Sequence, residues 1–284
     1  MGQCLVFPSE RAGAVRPVPV RAAVVGSLRS EIGALETPRS LHQGRVPLRF
    51  GDTRLDDALP WGGLPLASLH EVSGTASATG FVVALAARLP STRPILWCRP
   101  HKSEAGNWYA PGLLPFGLNP ERIIFVETHK KQDLLWAMEE GLRSGQPALV
   151  VGETESVGLV ASRRLQLAAE AGGVTAFLLN AAATQGSASR SAEKAASSVA
   201  LTRWAVSSRP RPEIQKTVDG RIQWQAELVH CRGGMPRSWL VEWNYEWTEQ
   251  PSGPREEGSP GRFAVVAELS DRQSESRPSA RQVS

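Results

Sequence analysis

Trp61-Gly62-Gly63-Leu64-Pro65-Leu66-Ala67-Ser68-Leu69-His70-Glu71-Val72-Ser73-Gly74 is the stretch on which the fold turns. A Gly-Gly-Leu-Pro turn feeds an apolar strand, the strand stops at Gly74, and helix-compatible sequence follows from about Thr79. Strand, glycine, loop and helix in that order form the setting in which backbone N–H groups at a helix start cradle phosphate. Downstream, short runs rich in Val, Ile, Leu and Trp alternate with longer helix-compatible segments, the pattern of βαβ units in a largely parallel sheet. Strands are expected at 66–72, 94–98, 122–127, 148–152, 174–180 and 199–206. Crossover helices are expected at 132–143, with Leu135, Met138 and Leu142 on one face, and at 156–171, with Leu159, Leu165 and Ala169 inward.

Outward from this core the texture changes. Residues 1–43 carry Pro8, Pro17, Pro19 and Pro38 and read as an N-terminal extension. Residues 181–198 are small and polar and read as a long loop between two strands. After Ser207 a Pro/Arg linker leads to two alternating runs, 221–231 and 238–243, joined by Arg232-Gly233-Gly234-Met235-Pro236-Arg237, which is the pattern of a β-hairpin. The tail from 248 is rich in Pro, Gly, Ser and charge and reads as largely disordered, apart from the strand-like run 262–269. The expected organisation is therefore an extension over 1–43, an α/β core over 44–206, a small β extension over 207–247 and a tail over 248–284.

Composition narrows the function classes. With 284 residues, 41% of them apolar and 21% charged, fibrous and wholly disordered classes drop out. Cys4, Cys98 and Cys231 lie far apart with no CxxC spacing, so neither a zinc ribbon nor a disulfide framework is supported and a reducing cytoplasm is expected. No signal-peptide pattern and no run of 18 apolar residues is present, so no membrane partner is expected. The net charge of +4 comes from 27 Arg and 5 Lys against 28 acidic residues, which permits nucleic-acid contact without demanding it.

A phosphate loop GxxxxGK[ST] needs its Lys to reach the β and γ phosphates and its hydroxyl to hold Mg²⁺. Counting from Gly74, the second Gly falls on Thr79, the Lys on Gly80 and the hydroxyl on Phe81, and no Lys or Arg occurs from Glu71 to Ala87. The loop is degenerate, so neither a cofactor nor a catalytic residue is expected. His70, Glu71, His101 and Glu104 do not make a metal site, because His70 and Glu71 point to opposite faces of one strand. Cys98 reads as a buried apolar group and no G-x-S-x-G elbow surrounds any Ser.

The order of these elements resembles the core of RecA-type recombinases and, within that group, the ImuA family of damage-induced mutagenesis cassettes, also described as SulA-like. The resemblance rests on Gly62-Gly63-Leu64-Pro65, His70-Glu71-Val72, Ala78-Thr79-Gly80-Phe81, Leu96-Trp97, Tyr109-Ala110-Pro111-Gly112-Leu113, the run from Ser162-Arg163-Arg164 to Glu170, Thr202-Arg203-Trp204, and the run from Glu227 to Cys231-Arg232-Gly233-Gly234. It covers residues 48–243. It implies a RecA-like core with a mostly parallel sheet flanked by helices, plus the small C-terminal β extension. RecA-type enzymes carry a Glu after the second strand, where this chain has Cys98-Arg99-Pro100-His101, and the fourth strand ends in Glu153 in place of an Asp. Glu153 reads as a carboxylate at the start of the helix that follows it.

The implied function is that of a non-catalytic accessory protein, a pseudo-ATPase, in SOS-induced translesion synthesis. It would recruit or bridge a Y-family-like polymerase homologue and an error-prone replicative-type polymerase subunit, with RecA and single-stranded DNA as further partners, in the cytoplasm at the nucleoid. Arg190 and Lys194 are the DNA-contact candidates, since the corresponding RecA loop meets single strands, although no aromatic residue there offers a stacking platform. Arg163, Arg164, Arg232, Arg237 and Trp239 are the protein-partner candidates, Trp and Arg being the residue types that dominate interfaces. Two alternatives remain: an ATPase with an atypical phosphate loop acting on single-stranded DNA, and a SulA-like inhibitor of cell division.

Overall fold

One nine-stranded sheet organises the chain, in the order β3-β2-β4-β5-β1-β6-β7-β8-β9. The computed structural model describes residues 37–102, 108–155, 157–180, 198–208, 222–244 and 261–269. These belong to the unit Pro38–Ser284, apart from Thr37. The strands are β1 (Leu69–Gly74), β2 (Ile95–Pro100), β3 (Ile123–Thr128), β4 (Leu149–Glu153), β5 (Thr175–Asn180), β6 (Thr202–Ser208), β7 (Ile222–Cys231), β8 (Arg237–Asn244) and β9 (Arg262–Leu269). The helices are α1 (Ala76–Ala87), α2 (Lys131–Ser144) and α3 (Leu159–Gly172), with shorter helical turns at Arg39–His42, Thr53–Asp56, Ala110–Phe116 and Pro120–Arg122.

Strands β1 to β6 pair in parallel, as the alternation of strand and helix signals requires. Beyond β6 the pairing turns antiparallel through β7, β8 and β9. The antiparallel end is larger than a two-stranded hairpin, because the run 262–269 closes it as a third strand. It also continues the parallel sheet: β6 pairs with β7 from Thr202 to Ser208.

The two faces of the sheet are covered differently. Helix α1 is apolar on all sides and buries Phe81, Val82, Val83, Ala84, Leu85 and Ala86, as a helix enclosed between a sheet and other chain segments must. On its face Phe50, Phe81, Trp204, Trp224, Trp239, Trp243 and Phe263 share one core. Helices α2 and α3 cover the opposite face, with Leu134, Met138, Leu142, Leu165, Ala168 and Ala169 inward. The expected Leu135 packs half-buried against this core, and Leu134 beside it is buried more deeply. Leu159, expected inward on α3, is exposed as the first residue of the helix, and Ser162 and Leu165 take the inward side.

Polar groups pin the apolar layers. Asp52 caps the turn at Thr53 and accepts from the Val265 N–H at 2.8 Å, tying the segment before β1 to β9. The Arg54 guanidinium beside it holds the Asp52 carboxyl down to about 2. Arg93 gathers the carbonyls of Gly145, Gln146 and Pro147 beyond the C-terminus of α2, where a cation suits the helix dipole.

His70 is wholly buried in a directed chain of hydrogen bonds. Its Nε2 lies 2.9 Å from the Pro65 carbonyl, which can only accept, so Nε2 carries the proton. Nδ1 then accepts from the Thr202 hydroxyl at 2.8 Å, and that oxygen accepts from the Trp204 indole at 3.1 Å. The ring thus locks the Gly-Gly-Leu-Pro turn to β1 and β6 in its neutral form.

Two predictions follow from this packing. Phe81→Ala removes the ring shared by four aromatic neighbours and is expected to cost about 3–5 kcal/mol in urea unfolding; a loss below about 1 kcal/mol would show that the cluster is not cooperative. Burial pulls the His70 pKa down to about 4, below its ordinary 6.5, so between those values the unfolded chain binds the proton that the folded chain refuses. Stability is expected to fall by an amount on the order of 3 kcal/mol as pH drops through that window. Urea melts of wild type and His70→Gln at pH 7 and pH 4.5 measure it, and an equal slope in both proteins would remove His70 as the cause.

Candidate functional site at the carboxyl edge of the parallel strands

In an open parallel sheet ligands bind beyond the carboxyl ends of the strands, where successive crossovers diverge. Here that edge carries Gly74 from β1, Arg99 to His101 from β2, Glu127 to His129 from β3, Glu153 and Thr154 from β4, and Asn180 from β5.

The positions of the loop that would carry the Lys and the hydroxyl face the protein's own core. Thr75 is the N-cap of α1, so the four residues after Gly74 form the cap and first turn of a helix in place of a loop. Gly74 has a φ of 153°, and a Cβ there would stand 2.0 Å from the Val206 carbonyl oxygen of β6. A Cβ on Gly80, the expected Lys position, would stand 3.1 Å from the Trp224 indole and 3.5 Å from the Phe116 ring. Phe81, at the expected hydroxyl position, points into the aromatic core, and the Thr79 hydroxyl is buried without a hydrogen-bond partner. The Ser77 hydroxyl bonds the Val206 carbonyl at 3.3 Å.

The acidic stations are also occupied. Glu153 is buried and accepts a 2.7 Å hydrogen bond from the Trp97 indole, so it braces β4 against β2 and does not act as an exposed carboxylate at the start of α3. Arg99 and His101 both reach Glu127, at 3.4 and 3.2 Å. Glu71 pairs with Arg203 across β1 and β6 at 3.2 Å, and its burial raises the carboxyl pKa. Burial pushes the Cys98 thiol up to about 12, which leaves it unreactive. Among the described residues no group of three or more His, Cys, Asp or Glu side chains is placed to hold a metal ion. A cleft of about 210 Å³ remains between Pro100, Thr128, the His129–Lys131 segment and Glu153 to Glu155, floored by Leu134.

The partner candidates scatter. Arg163 and Arg164 lie on the outer side of α3, with Arg164 bound to Glu139 of α2. The Arg232 side chain is bonded to the Val199 carbonyl at 3.4 Å, while Arg237 is exposed at the start of β8. Trp239 is a correction: it is 0% exposed and packs against Trp204, because its position on β8 faces the α1 core, so it touches no partner. Arg190, Lys194 and Glu104 lie outside the described residues. Sequence reading missed Trp136, which stands 63% exposed on α2. Its signal was present, since it lies two residues from both Leu134 and Met138 and so off the inward stripe of the helix.

No helix among the described residues is long and apolar enough to cross a membrane. No family model matches the chain. Two curated relatives do, the Protein ImuA of Caulobacter vibrioides strain NA1000 / CB15N and that of strain ATCC 19089 / CIP 103742 / CB 15. Each is 30% identical over 234 residues, which span 79% of this chain and 90% of the relative. Identity at that level across nearly the whole relative takes in far more than one turn or one helix, and the chain belongs to the ImuA family.

Proposed function

We propose that the chain is a non-catalytic, RecA-like accessory protein of damage-induced mutagenesis that recruits or bridges a Y-family-like polymerase homologue and an error-prone polymerase subunit. The observation that carries this reading is the inward turn of the two loop positions that would hold the phosphates and the metal, where Gly80 abuts Trp224 and Phe81 enters the core. An ATPase needs N–H groups, a Lys and a metal-holding hydroxyl around an open loop. Here the Lys and hydroxyl positions are Gly80 and Phe81, and both face aromatic packing. An interior first strand, a glycine at its end, a buried helix on one face and two helices on the other support a RecA-like frame that has kept its sheet without its loop. Membership of the ImuA family supports the mutagenesis setting.

Bridging requires exposed surfaces, and the β7–β8 turn supplies one: Met235 and Arg237 are exposed beside the half-buried Arg232. Removing everything after Ser207 does not isolate this contact, since Trp224, Trp239 and Trp243 would leave the core with it.

Calorimetric titration with Mg-ATP is expected to give no binding at micromolar or low millimolar concentrations. Micromolar binding, or turnover abolished by Glu153→Gln, would replace this reading with that of an ATPase. In a pull-down of the polymerase homologue encoded in the same cassette, Met235→Glu combined with Arg237→Glu is expected to lower retention about tenfold at an unchanged melting temperature. Undiminished retention would move the contact away from the β7–β8 turn.

A further inference from the structure

We propose that β8 and the segment 49–54 form a strand-binding groove, which β9 fills in cis and which an extended peptide of the pattern Gly-x-Phe-x-Val can fill in its place. This goes beyond the function proposed above and stands whether or not the chain binds nucleotide. β9 lies in the molecule as a bound peptide would, with its backbone held along both edges and its side chains anchored at alternate positions, the mode of recognition when a strand is added to a sheet. On one edge β8 pairs with it from Arg262 to Leu269. On the other edge, among the described residues, the segment 49–54 and Arg88 take the place of a neighbouring strand. The Phe263 N–H donates to the Phe50 carbonyl at 3.2 Å and the Val265 N–H to the Asp52 carboxylate at 2.8 Å. Arg54 donates to the Val265 carbonyl at 2.6 Å, and Arg88 donates both to the Gly261 carbonyl and to the Arg49 carbonyl.

Three alternate positions set the specificity. Phe263 is buried, with its ring centroid 5.0 Å from Trp243, 5.1 Å from Phe81, 5.4 Å from Phe50 and 6.0 Å from Trp224. Val265, two residues on and on the same face, is buried as well. Two residues before the ring, Gly261 lies flat against an indole, and a Cβ there would stand 2.3 Å from Trp243. An occupant therefore needs no side chain at the first position, an aromatic ring at the third and a branched aliphatic group at the fifth. Arg262 is exposed and Ala264 half-buried, so the positions between carry little of the recognition.

The connection to β9 makes the strand separable. Asn244 and Arg262 are register partners, so a two-residue turn would suffice to join β8 to β9. The chain instead places residues 245–261 between them, well beyond hairpin length. β9 is thus tethered to the groove, and it can leave and return without unpairing β8. Among the described residues no element follows β9, so its departure takes no other strand with it. Edge segments of this kind open at a lower free energy than the interior of a sheet. A tethered strand competes at an effective concentration on the order of a millimolar, which an outside segment must overcome to enter.

The test uses a fluorescein-labelled peptide copying residues 258–271 and two full-length chains, wild type and Phe263→Ala. The substitution takes the ring from the resident strand and leaves every groove residue in place. Fluorescence anisotropy is expected to show micromolar binding to the Phe263→Ala chain and binding about tenfold weaker, or less, to wild type, whose own strand holds the groove. Bound peptide is expected to raise the melting temperature of the variant. Peptides carrying Phe263→Ala or Gly261→Ala are each expected to bind that chain about tenfold more weakly. If Phe263→Ala does not fold, the same titration is made on the wild-type chain cut at a protease site introduced within residues 245–260, where the untethered strand is expected to be displaced by the labelled peptide. Absence of binding to the folded variant or the cut chain, equal binding to wild type and variant, or indifference to the Phe and Gly changes in the peptide overturns the proposal.

Discussion

Phe81 is the side chain on which the rest of the structure converges. Its ring centroid lies 5.1 Å from Phe263, 5.7 Å from Trp204, 6.0 Å from Trp224 and 6.1 Å from Phe50. Those four residues come from β9, β6, β7 and the segment before β1, so one ring on α1 joins parts of the chain that are remote in sequence. Aromatic pairs at such distances stabilise beyond their buried area, by about 0.5–1.5 kcal/mol each. The same position in a phosphate loop would carry a small hydroxyl residue facing a metal ion. A side chain that would have served the ligand here serves the core, and the antiparallel strands β7 to β9 have something to pack on because of it.

That exchange also explains which parts of the molecule were legible in the sequence. The six parallel strands were readable because each is a short run rich in apolar residues between longer segments, a signal that holds even for β3, whose edge position leaves Ile124 and Phe125 exposed. The failed phosphate loop was readable too, since a missing Lys at Gly80 and a Phe at 81 are facts about residue type. What took its place was not readable. That Gly80 abuts Trp224 depends on a contact between residues 144 apart in the chain, and no local pattern reports it. Trp239 misled for the same reason: an alternating strand shows which residues share a face, but only the sheet as a whole shows which face is covered. On α2 the expected Leu135 does pack on the core, and only the deeper burial of Leu134 beside it was not legible, because the approach angle of the helix decides it.

The carboxyl edge shows the same closure in polar form. Glu153 holds the Trp97 indole, Glu127 holds Arg99 and His101, and Glu71 holds Arg203. Each of these three carboxylates is engaged with a donor from a neighbouring strand or its end. Buried or half-buried carboxylates need such partners, because leaving one unpaired costs several kcal/mol. Pairing between strands is the arrangement that keeps these charges tolerable.

A nucleotide-binding core must open and close around its ligand, which keeps its loops at the low end of local stability. Ring packing around Gly80 and Phe81 ties that segment to the core. From β3 at one edge to β9 at the other the sheet is continuous, so the parallel strands and the β7–β8 turn are held by one hydrogen-bonded unit. For a protein proposed to bring two partners together, that rigidity has a direct use. Docking surfaces fixed in orientation spare the assembly the entropy of ordering them at the moment of binding. The loss of the phosphate loop and the suitability of the fold as a bridge are then two consequences of the same substitution of packing for chemistry around Phe81.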